Sequence, residues 1–426
     1  MWCTHVLLLL LALTSVLTGG CTITFGPFDG DSIGEGEHLP EPDIWREDPP
    51  TLTEEQQVRQ VEVDAYLVDQ YRDYTIVTTT QGYSGDIIDW VDSSLLSIPY
   101  EIPALPWTAA DLQPPPGVAL ALTELDLFPE LRGPEGTAPL HRPDFSAYVM
   151  GESGAISLQD YLENSQVFGR PAGDSRLYAG LNSLQQNNGV SGTVNVFNSE
   201  VEKGTFSLVE LMVACPLMGE VQEQIGVVIA VDRVNSIVDA QPRLHVEYLR
   251  QVGGKLKGIW DQKESGFVPF PLREHSPGEV VPVSMVGGAQ VEHRLDIFQV
   301  PTGDWWIGYN GRLLGYYPAN LFTMLNGGAC RSAWYSEVYD GTPTDWTTTD
   351  MGSGQLAAAG LNFSAYVRQP KYRFPYWVDF EATAGMTLEA NPYVEQCYTR
   401  SVMLNNDSLG AHFFYGGPGG DAPGCD

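Results

Sequence analysis

The sequence predicts an all-β protein, an antiparallel β-sandwich over residues 171–426 reached through a long N-terminal approach. Short runs of β-formers bounded by turn residues carry the prediction: Gly192 to Phe197, Phe206 to Val213, Ile225 to Val231 and Arg294 to Val300. A content of 45 Gly and 30 Pro supplies the turns such a fold needs. Beyond Leu177 the residues Pro318 to Leu325 alone read as a short helix, with Pro in the first turn where its missing N–H costs nothing.

The chain opens with the apolar run Val6 to Leu13, too short for a membrane span, followed by Leu17-Thr18-Gly19-Gly20-Cys21. Residues 1–21 therefore read as an export signal. Small residues before a cysteine point to lipidation of Cys21 and a membrane anchor through its acyl chains, with ordinary cleavage near Gly20 as the alternative. Residues 22–52 are rich in Asp, Glu, Gly and Pro and have too few apolar side chains to offset the entropy of ordering, so they form an exposed acidic tether. Thr53 to Tyr71 places Val58, Val61, Val63 and Leu67 among acidic and amide side chains, which permits an amphipathic helix or a strand. Prolines scattered through Ile98 to Leu140, three of them consecutive at 114–116, predict an extended linker or wrap. Ser157, with Asp160 three residues on, predicts a cap and a short helix ending near Asn164.

Across its 426 residues the chain carries 54 acidic against 22 basic side chains, a formal charge of −32 that repels phosphate backbones and argues against nucleic acid as a partner. There is no GxSxG, HExxH, GxxxxGK[ST] or helix-opening GxGxxG, and the seven histidines form no i,i+4 pair. Gly416 to Gly420 has no helix behind it for an anion to cap and reads as a turn. Metal-ligand spacings of Cys and His are absent too, so the expected chemistry uses no cofactor and no metal. Cys215, Cys330, Cys397 and Cys425, in an exported chain, suggest disulfides.

A set of ordered aromatic and glycine motifs remains. Gly303-Asp304-Trp305-Trp306-Ile307 precedes Leu314-Gly315-Tyr316-Tyr317-Pro318. Trp334-Tyr335-Ser336-Glu337-Val338 and Thr349-Asp350-Met351-Gly352-Ser353-Gly354 follow. Asn391-Pro392-Tyr393, Cys397-Tyr398 and His412-Phe413-Phe414-Tyr415 before Cys425 close the series. In this order the chain resembles the neprosin family, whose corresponding segments read G-N-W-W, G-Y-W-P, W-G-G-E-V and T-x-M-G-S-G. The resemblance runs from about Leu177 to the C-terminus.

That resemblance implies a sandwich of the glutamic-peptidase type. It further implies an endopeptidase that cleaves peptides or proteins after proline at acid pH through two facing glutamates. Two carboxyls sharing a site cannot both ionise cheaply, so one serves as acid while the other is the base for a water. Glu337 occupies the second glutamate of the family pattern. The first falls in a segment of the form I-E-A-G-W-Q-V, and aligning its glycine with Gly226 puts Gln224 in the catalytic position. Strand alternation places Gln224, Gly226 and Val228 on one face, and Ile225, Val227 and Ile229 on the other. Glu223 falls with the apolar set, and only a bulge would bring it round. The implied pair is Gln224 with Glu337, and Tyr316, Trp334 and Tyr335 are expected to line the groove. A glutamine can donate a hydrogen bond to an oxyanion but cannot exchange a proton. A catalytically silent peptide-binding module on the same fold is therefore the alternative. The resemblance also pairs Cys397 with Cys425, leaves Cys215 and Cys330 open between a bond and free thiols, and identifies residues 53–170 as an activation-peptide-like region, closing with Arg142 to Tyr148 and Ser157 to Glu163.

Overall fold

The computed structural model describes residues 52–426 apart from 97–102, 104–106, 153–154, 156, 165–174, 218–219, 235–239, 253–254, 262–265, 272–273, 341–346, 375–377, 382–386, 391–396 and 422–426. The predicted signal, Cys21, the tether and Cys425 lie outside those residues.

The N-terminal part begins with α1 (Glu54–Gln70), whose Thr53 cap and Gln56 satisfy each other's backbone donors. Of the apolar positions read from the sequence, Val63 and Leu67 face inward, joined by Tyr66, whereas Val58 and Val61 are solvent-exposed. Strands β1 (Ile76–Gln81) and β2 (Ile87–Asp92) follow, then β3 (Val118–Leu120), α2 (Glu124–Leu127) and β4 (Thr137–Arg142). β1, β2 and β4 form a small antiparallel sheet. Helices α3 (Ser146–Met150) and α4 (Leu158–Asn164) pack Phe145, Val149 and Leu158 against Val63 and Tyr66 of α1. Among the described residues of the proline-rich stretch, loop and short strand prevail, with α2 and a 3-10 turn at Pro129–Leu131 as the helical exceptions.

Two larger antiparallel sheets form the sandwich. The first contains β5 (Ser175–Ser183), β7 (Thr205–Leu217), β8 (Glu220–Asp232), β9 (Arg243–Val252), β10 (Lys255–Trp260), β15 (Arg331–Asp340) and β18 (Thr387–Ala390), in the order β10-β9-β8-β7-β15-β5-β18. The second runs β11-β14-β13-β12-β6-β16-β21-β19. Its strands are β6 (Gly189–Asn195), β11 (Val268–Pro269), β12 (Gln290–Gln299), β13 (Trp305–Tyr309), β14 (Arg312–Tyr317), β16 (Ala365–Phe374), β19 (Thr399–Arg400) and β21 (Gly410–Gly416). The short strands β17 (Val378–Glu381) and β20 (Leu404–Asn406) pair with β16 and β21.

Alternation puts Leu211, Val213, Ile225, Val227, Ile229 and Val246 of the first sheet against Leu295, Ile297, Ile307, Tyr317, Val367 and Phe413 of the second. Cys215 and Cys330 form a disulfide that closes a separation of 115 residues, and Cys397 is disulfide-bonded as well. The N-terminal part grips both sheets. β3 adds in parallel to β12 through Val118 to Leu120, and Trp107 packs edge-on to Phe298 behind the second sheet. At the other end Asp86, just before β2, is ion-paired to Arg243 of β9 at 2.9 Å.

Candidate active site

The face of the first sheet turned away from the inter-sheet core carries an unusual population of polar side chains. Leu208, Glu210 and Met212 of β7 lie on it, as do Gln224, Gly226 and Val228 of β8, Glu247 of β9, and Tyr335 and Glu337 of β15. Glu210, Gln224, Glu247 and Glu337 are all buried, and an ionised carboxyl is held in such a place only by dedicated partners.

Those partners form one chain of hydrogen bonds. Gln224 Nε2 donates to Glu247 Oε1 at 2.8 Å and to Glu210 Oε1 at 3.2 Å. Trp260 Nε1 donates to Glu247 Oε2 at 2.8 Å, and the Tyr335 hydroxyl meets Glu210 Oε2. Gly226 is the floor of the cluster: a Cβ there would lie 2.2 Å from Glu210 Oε1. Glu337 is ion-paired to Arg176 of β5, whose guanidinium also lies 4.9 Å from the Tyr339 ring centroid. Tyr335 is directly opposite Glu210 and Glu337 directly opposite Leu208, which makes Glu210 and Glu337 diagonal neighbours on adjacent strands. Burial, then repulsion from Glu247 and Glu337, raises the Glu210 pKa well above the usual carboxyl range. Burial likewise raises Glu247 to about 7, with the Trp260 hydrogen bond opposing and the Glu337 charge reinforcing the shift. Next to Trp260 a cleft of about 280 Å³ opens between the sheet, through Ala230 and His245, and the N-terminal part, through Tyr66, Tyr71 and His141.

The family model for Neprosin matches residues 203–418, half of the chain. This chain belongs to the Neprosin family. Among solved structures it is similar to scytalido-glutamic peptidase in two complexes. With a peptide-based transition-state analogue the TM-score is 0.33 at 8% identity, over 57% of this chain and 99% of that one. With a transition-state analogue inhibitor it is 0.32 at 8% identity, over 57% and 98%. A 1,3-α-1,4-β-D-galactose-4-sulfate-3,6-anhydro-D-galactose 4 galactohydrolase gives 0.22 at 6% identity, over 58% of this chain and 79% of that one.

Within this Neprosin domain, Gln224 and Glu337 share the outward face, and Glu223 points the other way. Glu223 Oε1 accepts from the backbone N–H of Thr323 at 2.7 Å, and Oε2 from those of Met324 at 2.7 Å and Leu325 at 2.9 Å. The β7/β8 irregularity lies between Cys215 and Pro216 and leaves Glu223 on the inner side. Two residues expected in the groove belong elsewhere. Trp334 is an odd number of positions from Glu337, so it faces the inter-sheet core, where its indole donates to the Ser191 carbonyl at 2.9 Å. Tyr316 stacks on Trp306, 4.9 Å between centroids, on the outer side of the second sheet. Tyr335 alone of the three reaches the cluster. Sequence reading missed Glu210, Glu247, Arg176 and Trp260, although Glu210, an acidic residue amid Leu, Val and Met in the predicted strand Phe206 to Val213, is itself a signal of a purposeful buried carboxyl.

Proposed function

We propose that this protein is an acid-acting endopeptidase that hydrolyses peptide bonds, on the C-terminal side of proline, with Glu337 as the base that activates a water. Membership of the Neprosin family supports a peptidase function, and the observation that carries the reading is the buried set Glu210, Gln224 and Glu247 on the same face as Glu337. A carboxylate beside hydrogen-bond donors in a site shielded from water is what attack on an amide and support of its oxyanion require. The Cys21 signal supports export with a lipid anchor, and radiolabelled palmitate incorporation lost in Cys21→Ala tests it.

The deciding experiment incubates the protein, from strongly acid to neutral pH, with a quenched peptide containing a single proline. Cleavage at acid pH that falls at least about 100-fold in Glu337→Gln is the expected result. One observation favours a second reading. Arg176 engages Glu337 and Tyr335 fills the position of a family glycine next to it, an arrangement suited to a peptide-binding module that holds without cutting. Silence of the parent together with saturable binding of the same peptide establishes that alternative.

A further inference from the structure

We propose that Glu210 is the acid partner of Glu337, so that the carboxyl missing from position 224 stands one strand over, while Gln224 and Glu247 position it. The assignment rests on the peptidase reading and adds a catalytic residue that the family pattern does not point to.

Register gives the first reason. Along β7, Glu337 lies opposite Leu208, and Gln224 lies opposite Ala214, six residues further on. At about 3.3 Å per residue that is a backbone displacement of roughly 20 Å along the strand, which the Gln224 side chain, reaching as far as Glu210, only partly closes. Glu210 is two residues from the Glu337 position, a diagonal distance of about 7–8 Å. The second reason is the direction of the hydrogen bonds. An amide nitrogen has two N–H groups, and the contacts of Gln224 Nε2 are the two carboxyls. Glu247 is bound on both oxygens by groups that only donate, the Gln224 amide and the Trp260 indole, so a proton on it has no acceptor beside it to pass to. Glu210 differs: its Oε2 faces a tyrosine hydroxyl, which can accept as well as donate. Of the two carboxyls on Gln224, Glu210 is the one with a place for a proton. Its Oε1 lies in the space above Gly226 that a Cβ would fill, which lets it reach the Gln224 amide.

In the reaction this gives, Glu337 takes a proton from water as the water oxygen bonds to the scissile carbonyl carbon. Glu210, protonated at first, hydrogen-bonds the carbonyl oxygen and then delivers its proton to the amide nitrogen as the C–N bond breaks. The products are a carboxylic acid and an amine, and the proton on Glu337 returns through solvent to Glu210. The groups that face Glu210 and set its protonation are Gln224, Glu247, Tyr335, Glu337 and, through Glu337 and Tyr335, Arg176 and Tyr178.

The test compares Glu210→Gln, Gln224→Leu and Glu337→Gln with the parent on the same quenched peptide, with full pH profiles. Glu210→Gln is expected to lose at least about 100-fold in kcat, and Gln224→Leu about 10-fold. Glu210→Gln with parental kcat, beside a dead Glu337→Gln, overturns this assignment and leaves the peptidase reading standing. A parent that cleaves nothing at any pH overturns both. If Glu210→Gln unfolds, Tyr335→Phe decides. Loss of the hydroxyl removes a donor to ionised Glu210, so the alkaline limb of kcat/KM moves to higher pH, and an unmoved limb counts against Glu210. Infrared difference spectra at neutral pH supply a readout independent of turnover, taken in a Glu247→Gln background that removes the other raised carboxyl: a protonated-carboxyl band that vanishes on adding Glu210→Gln supports the assignment, and its persistence overturns it.

Discussion

Gly226 shows how much of this site depends on what a residue lacks. With no side chain it lets Glu210 Oε1 occupy the space a Cβ would fill, and so brings Glu210, Gln224 and Glu247 into contact. The obstructed atom is the end of a flexible side chain, so Gly226→Ala should displace the Glu210 head group and leave the strand intact. The expected outcome is a drop in kcat/KM of about 30-fold or more, with stability lowered by no more than about 1 kcal/mol, measured by steady-state kinetics and urea unfolding. A large stability loss with normal kinetics would show that Glu210 does not need that space.

β8 illustrates division of labour along one strand. Glu223 holds the turn at 323–325 by three backbone amides, and its successor Gln224 works on the opposite face. Glu223→Ala leaves one buried and two partly buried N–H groups without their carboxylate and should cost about 2 kcal/mol or more in chemical unfolding. Activity per folded molecule should change far less, a contrast that separates Glu223 from a catalytic role. Alternation already assigned these two residues to their faces in the sequence, because a strand of Ile225, Val227 and Ile229 leaves no ambiguity of side. The same rule applied to Trp334 and Glu337 would have sent the tryptophan inward; family motifs draw attention to aromatic residues regardless of parity. Glu210 and Glu247 were illegible as partners for a different reason. Their meeting over Gly226 depends on the register of three strands, and register between segments distant in sequence is set by the whole packed sheet.

For the molecule as a whole, the buried carboxyls and the Asp86 contact make opposite demands on pH. Glu247 rises from 4.5 to about 7 on folding, so the folded state binds an extra proton between those values. Its contribution is fully present below about pH 4.5 and is lost as pH rises through 7, roughly 3 kcal/mol in all, and Glu210 acts in the same direction. Burial pushes Asp86 upward, but His141 and Arg243 more than offset this and hold it lowered to about 2. Its contribution is present above its ordinary value of 3.8 and disappears as pH falls towards 2. Thermal unfolding followed across pH should therefore peak between about 4 and 5. Glu247→Gln should flatten the decline on the neutral side and Asp86→Asn the decline on the acid side. A Tm that climbs steadily from acid to neutral pH would contradict the raised carboxyls.

The attachment of the N-terminal part to the two sheets has a mechanical consequence. One fastening is a charge contact, Asp86 with Arg243, which strong acid can undo. Lys371 with Asp111 and Arg132 with Glu274 are further charge contacts, whereas the packing of Trp107 on Phe298 and the backbone ladder of β3 on β12 are untouched by titration. Loss of the Asp86 contact in strong acid thus loosens the N-terminal part beside the cleft while β3 stays paired to the back of the sandwich. Because β4, α3 and α4, which hold β2 and α1, lie after β3 in the chain, a cut between Asp86 and β3 does not by itself free the segments over the cleft, so loosening the cleft and shedding its cover are separate events.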